Sequence, residues 1–240
     1  MQSVYGFLIW LLGLVGLISC TVTNNLYVND PVPAGKGMFR AYIGGGTGLE
    51  PEIDSVTDEG DIFFSEKVQM APIVAAGGDL GINDRLTLRG AVHLPYAFGG
   101  FGLRLGVQHS LYDTWYKFNG AVGADFSFVI SEDSISESST KGSISGDFFM
   151  PFSYRFSENY EVYLTPRISL NNFYIKKNEK SRSSQGFPVN YPALSLAFRA
   201  KRIYMETTGI FFDNRIYPNF GIAFLFPLNK INQLKENISE

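Results

Sequence analysis

Beyond Lys36 the apolar residues of this chain fall on every second position, and that periodicity constrains the fold more than any other feature. In residues 85–94, Leu86, Leu88, Val92 and Leu94 share one face, while Thr87, Arg89, Ala91 and His93 share the other. In 100–108, Phe101, Leu103, Leu105 and Val107 oppose Gly102, Arg104, Gly106 and Gln108. In 116–130, Tyr116, Phe118, Val122, Phe126 and Phe128 oppose Lys117, Asn119, Ala121, Gly123, Asp125 and Ser127. Successive side chains of a strand point to opposite faces, so a period of two predicts strands. Ten such segments are legible, near 37–46, 67–78, 85–94, 99–108, 115–130, 144–156, 160–172, 191–199, 202–211 and 218–227. Most have the roughly 9 to 11 residues that a tilted membrane strand needs, or a few more.

The links between these segments alternate as well. The odd ones, 47–66, 95–98, 131–143, 173–190 and 212–217, are mostly long; the even ones, 79–84, 109–114, 157–159 and 200–201, are short. In an up-and-down sheet the odd links gather at one end and the even links at the other. Long loops at one end and tight turns at the other is the asymmetry of outer-membrane barrels. Closure also removes the exposed edges that an open sheet of this size would present. The expected fold is therefore all-β, a closed antiparallel up-and-down transmembrane barrel of about ten strands over 37–227.

Composition agrees with a β-rich chain and excludes several functions. Phe numbers 21, Tyr 13 and Gly 25, with only 18% charged residues. The net charge of −3 gives no electrostatic case for nucleic acid. One cysteine excludes an internal disulfide and the usual multi-cysteine metal sites, and no nucleotide fingerprint appears, so no cofactor is expected.

That cysteine closes an apolar run from Val4 to Ile18, too short for a spanning helix and the length of a signal-peptide core. Leu17-Ile18-Ser19-Cys20 resembles the bacterial lipobox. The resemblance implies a signal peptide over 1–19 and acylation of Cys20, although the first basic residue is Lys36. An ordinary signal peptide and a retained helix are the alternatives. Residues 20–36, rich in Asn, Pro and small side chains, read as a periplasmic tether, and 228–240 as a periplasmic tail.

Alternation alone does not say which face meets lipid. A soluble lipocalin-like lipoprotein would turn its apolar face inward. Phe148, Met150, Phe152, Tyr154 and Phe156 on one strand, and Phe220, Ile222, Phe224 and Phe226 on another, are too bulky for a small closed lumen. The polar face mixes charges with Gly and Ala, as a crowded interior does. Residues 219–226, with Asn219, Gly221, Phe224 and Phe226 at the key positions, also resemble the β-signal of outer-membrane proteins. That resemblance implies recognition by the barrel-assembly machinery and residence in the bacterial outer membrane, among its lipids and lipopolysaccharide.

With lipid outside, the lumen is expected to hold Arg40, Arg89, Arg104, Lys117, Arg155, Arg167 and Arg199 against Asp125, Asp147, Glu161 and Glu206, with His93 beside them. The excess of basic residues leaves two readings open: a plug of paired charges with a structural or surface role, or a narrow pore or pocket favouring a small anionic solute. A barrel-embedded lipid- or peptide-hydrolysing enzyme centred on His93 is a third, but no catalytic residue is assigned. The acidic stretch Glu50–Glu66 lacks the spacing of a calcium loop, so no metal ligand is assigned either, and the basic run near Lys176–Arg182 reads as a solvated loop.

Overall fold

The computed structural model describes residues 28–56, 62–95, 100–112, 117–132, 139–177, 184–226 and 229–230. The expected signal peptide, Cys20 and most of the C-terminal tail lie outside these residues. The described chain forms β1 (Met38–Val56), β2 (Ile62–Gly81), β3 (Leu86–Pro95), β4 (Gly100–Ser110), β5 (Phe118–Glu132), β6 (Ser139–Phe149), β7 (Phe152–Ser157), β8 (Tyr160–Lys177), β9 (Ser184–Ala200), β10 (Ile203–Phe212), β11 (Arg215–Leu225) and β12 (Asn229–Lys230).

Apart from β6–β7 and β11–β12, neighbours in sequence pair antiparallel, and β11 pairs with β1, Tyr42 facing Leu225 and Gly46 facing Gly221. That last pairing closes the sheet. β6 and β7 occupy one place, each lying between β5 and β8, so the ring has ten strand positions. The sequence reads 144–156 as one strand; Pro151, which has no N–H to give the ladder, divides it. The chain is thus a closed antiparallel up-and-down β-barrel of ten strands. Paired positions run from Arg40 to Asp79, Arg89, Gly106, Asp125, Asp147 and Ser169. One circuit returns to β1 about 12 residues further along, a stagger that tilts the strands by roughly 40°.

The asymmetry between ends survives in a different form. Strands run on into the links expected to be long, so β1 and β2 reach 19 and 20 residues, and β8 and β9 reach 18 and 17. β3, β4, β10 and β11 have only 10 or 11. Three hairpins, β1–β2, β5–β6 and β8–β9, therefore stand above the rest of the rim at the loop end, with β1–β2 reaching furthest. The ninth link is tight: Asp213 and Asn214, at φ 48° and 56°, form a two-residue hairpin turn of the kind that needs positive φ twice. At the other end the Asn83 side chain accepts from the Arg85 and Leu86 amides (2.8 and 2.7 Å) and fixes the β2–β3 turn.

The two faces divide cleanly. Outward positions carry Leu105, Phe148, Ile168 and Phe220, each more than half exposed, and the same apolar cover continues round the ring. Inward positions carry the polar and charged set together with Tyr163, Tyr191, Tyr204 and Phe173, all essentially without exposure. An apolar exterior around a packed polar interior inverts the arrangement of a soluble barrel.

Candidate functional site: a plugged, charge-paired lumen

Alternation turns Arg40, Asp79, Arg89 and Asp125 inward, and the register places them at one level on β1, β2, β3 and β5, with Gly106 of β4 between the last two. Cross-strand neighbours on the same face lie within side-chain reach. The result is a continuous alternation of acid and base. Glu161 accepts from Arg199 (2.6 Å), and Arg199 lies 3.5 Å from Asp30. Asp30 pairs with Arg40 (2.6 Å) and Arg40 with Asp79 (2.8 Å). Asp79 faces Arg89 (3.4 Å), Arg89 lies 3.8 Å from Asp125, and Asp125 accepts from Arg104 (2.5 Å). Arg89 also lies over the Phe149 ring, 4.8 Å from its centre.

Small residues make the room. A Cβ added at Gly106 would sit 1.7 Å from Asp125 Oδ1, and one at Gly102 would sit 2.3 Å from the His93 ring. Gly77 leaves space for the Tyr42 ring and Gly123 for Phe149 in the same way. A second network surrounds Glu206, which accepts from Tyr204 (2.9 Å) and Thr208 (2.8 Å) and lies 3.6 Å from Arg167. Arg167 donates to Ser195, which shares a hydrogen bond with Thr208. Asp147 accepts from Ser169.

Asp30 belongs to a segment that the sequence reads as a periplasmic tether. Residues 28–34 instead lie inside the barrel, and Val28, Asn29, Asp30, Val32 and Ala34 are all buried. Arg89 donates to the Asn29 side chain (3.0 Å) and the Val28 carbonyl (3.1 Å). Gln108 and Ser110 donate to the carbonyls of Asp30 and Pro31 (2.8 and 2.7 Å). Val28 completes an apolar layer with Tyr42, Tyr163 and Tyr204. Further toward the loop end, Leu49, Phe173, Val189, Tyr191 and Ile210 form a second layer. The lumen is filled at two levels.

Of the residues expected in the lumen, Arg40, Arg89, His93, Arg104, Asp125, Asp147, Glu161, Arg167 and Glu206 are buried there, and Arg155 and Arg199 are half-buried. Lys117 is not among them: β5 starts one residue later, and Lys117 is exposed at the short-turn rim. His93 is wholly enclosed, whereas His109, read as part of a turn, is exposed on β4. Two acidic residues escaped the sequence reading. The sequence places Asp79 in a turn, but the inward period of Ile73, Ala75 and Gly77 continues through it. Asp30 has no periodic neighbour and gives no signal. With both added, six arginines face six carboxylates among the described residues, and the expected positive excess disappears.

In the segment resembling a β-signal, Asn219 points inward and hydrogen-bonds Thr47 across the β11–β1 closure, while Phe224 and Phe226 point outward. The tail begins by extending this seam, since Asn229 and Lys230 pair with Phe39 and Met38.

No family model matches the chain, and no curated protein does. Among solved structures, Ail, the attachment invasion locus protein of Yersinia pestis, matches with a TM-score of 0.34 and 8% identity, over 80% of this chain and 99% of its own. The N-terminal β-barrel domain of Pseudomonas aeruginosa OprF matches with 0.30 and 10%, over 80% and 99%. The KdgM porin matches with 0.35 and 9%, over 80% and 99%. Values this low leave the fold to be read from the strand pairing itself.

Proposed function

We propose that this chain is an integral protein of the bacterial outer membrane whose barrel is sealed, and that its role is structural or surface-presenting rather than solute passage. One observation carries the reading: among the described residues the inner face is lined by paired charges and tyrosines, and the chain's own residues 28–34 lie buried within it. Among the described residues, six arginines balanced by six carboxylates give no field that would draw an anion through. The apolar exterior supports insertion among outer-membrane lipids and contact with lipopolysaccharide at the loop end. Export through residues 1–19, acylation of Cys20 and delivery by the assembly machinery through 219–226 complete the proposal. The hairpins that rise above the rim, β1–β2, β5–β6 and β8–β9, are the surfaces such a barrel presents. His93, enclosed against Gly102, offers no approach that would favour the hydrolase reading. The test is conductance of the purified protein in planar bilayers. A sealed barrel gives no channel steps in 1 M KCl; anion-selective steps from folded protein would overturn the reading.

A further inference from the structure

We propose that the lumen at the short-turn end is a binding site for an extended peptide bearing a carboxylate, and that residues 28–34 are its resident, displaceable occupant. The proposal rests on the sealed-barrel reading and names what the seal recognises.

The wall treats this segment as a ligand. Four carbonyls of the segment accept from wall side chains: Val28 from Arg89 (3.1 Å), Asp30 from Gln108 (2.8 Å), Pro31 from Ser110 (2.7 Å) and Val32 from Arg40 (3.4 Å). The Ala34 amide donates to Thr87 (3.4 Å). These contacts read main chain, so they tolerate other sequences. The one charge the segment brings, Asp30, is set between the guanidinium groups of Arg40 (2.6 Å) and Arg199 (3.5 Å), and a charge-assisted contact of this kind is stronger than a neutral one. Pro31 and Pro33 limit the conformations the free segment samples, which lowers the entropy lost on seating. Asp30 Oδ1 accepts from its own chain at Val32 (3.0 Å), so the occupant is partly preformed.

Two features make it displaceable. The ring closes through β11 and β1 without it, so its departure leaves the sheet intact. It joins β1 through Gly35-Lys36-Gly37, whose glycines sit at φ 84° and 69°, a joint at the mouth that turns without side-chain hindrance. When the segment leaves, Arg40 keeps Asp79 and Arg199 keeps Glu161. The chain of charges is then left with four arginines and three carboxylates, and that surplus of one guanidinium selects an anionic replacement.

The experiment uses the full chain and a fluorescent synthetic peptide, Val-Asn-Asp-Pro-Val-Pro-Ala, corresponding to 28–34. In the wild-type protein the tethered copy competes at high effective concentration, so the peptide binds weakly. Asp30→Asn loosens the tethered copy, and peptide affinity should rise at least tenfold, with one peptide bound per barrel. Gly81→Ala is the second route: its Cβ would lie 1.8 Å from the Gly35 carbonyl oxygen, displacing the joint without touching any donor, and it should raise affinity as well. A peptide with Asn for Asp should lose at least tenfold on the Asp30→Asn protein. Equal peptide binding by wild-type and both variants, all folded by circular dichroism, would overturn the proposal. So would displacement by sodium acetate as effective as by unlabelled peptide, since the main-chain donors would then contribute nothing. Conductance of the wild-type barrel would sink the sealed reading instead, and leaves these binding comparisons as they are.

Discussion

Replacing Asp125 by asparagine removes one charge from the interior and keeps the shape of the side chain. Asp125 Oδ2 accepts from Arg104 Nε (2.8 Å) and Nη2 (2.5 Å) and lies 3.8 Å from Arg89. Its carboxylate has no exposure and the Arg104 side chain has 3%. Two unit charges 4 Å apart attract by about 1 kcal/mol in water and by about 4 kcal/mol at an effective dielectric constant near 20. Removing one partner of a buried pair also strands the other, at a measured cost of roughly 3–5 kcal/mol. Asp125→Asn should therefore lose about 3–5 kcal/mol in reversible urea unfolding from phospholipid bilayers. Circular dichroism and the gel mobility of unheated samples provide the readout. The loss should be nearly insensitive to 0.5 M NaCl, since buried pairs are poorly screened. Arg104→Lys keeps the charge but gives up the two-pronged contact, and belongs between wild type and Asp125→Asn. A loss below about 1 kcal/mol would mean that water surrounds the pair, and the dry, packed lumen would be refuted.

Further outcomes separate the two faces of the wall. Gly106→Ala forces a methyl to 1.7 Å from Asp125 Oδ1 and should destabilise the barrel about as much as the charge removal, whereas Gly146→Ala, with open space around its Cβ, should change unfolding by less than about 0.5 kcal/mol. Leu105→Arg places a charge on the apolar exterior midway along β4 and should cost about 2–4 kcal/mol in lipid, against about 0–1 kcal/mol for Phe156→Arg beside the short β7–β8 turn. Thr47→Val removes the hydroxyl that Asn219 and the Phe220 amide share across the β11–β1 seam, and should lower stability by about 1 kcal/mol, measured in the same urea series.

The wall of this barrel was legible because lipid outside and a packed interior impose opposite chemistry on alternate residues. β4 shows it plainly: Phe101, Leu105 and Val107 face out, and Gly102, Arg104 and Gln108 face in. Where that contrast ends, so does the signal. β1 and β2 continue pairing past Gln69, from Pro51 facing Val68 to Val56 facing Ile62, because the ladder needs only backbone partners. The acidic stretch of 50–66 has no period to announce this. Asp79 is hidden because a charge followed by Leu80-Gly81 looks like a turn, although its inward parity is intact. Asp30 is hidden for a different reason. A plug held by side chains reaching its carbonyls leaves no trace of period or spacing in its own sequence, and Asn-Asp-Pro-Val-Pro reads equally well as a solvated loop. The excess of arginine over carboxylate on the predicted inner face was the one available hint, since buried charges survive only when paired.

The most direct test of an apolar exterior facing lipid is the solubility of the Cys20→Ser protein. Without the cysteine no acyl chain holds the chain to a membrane, and with residues 1–19 replaced by a plain cleavable signal peptide only the barrel itself remains to do so. An inserted barrel stays in the membrane fraction through alkaline carbonate washing and is released only by detergent. Recovery of folded, monomeric protein in buffer without detergent would contradict it.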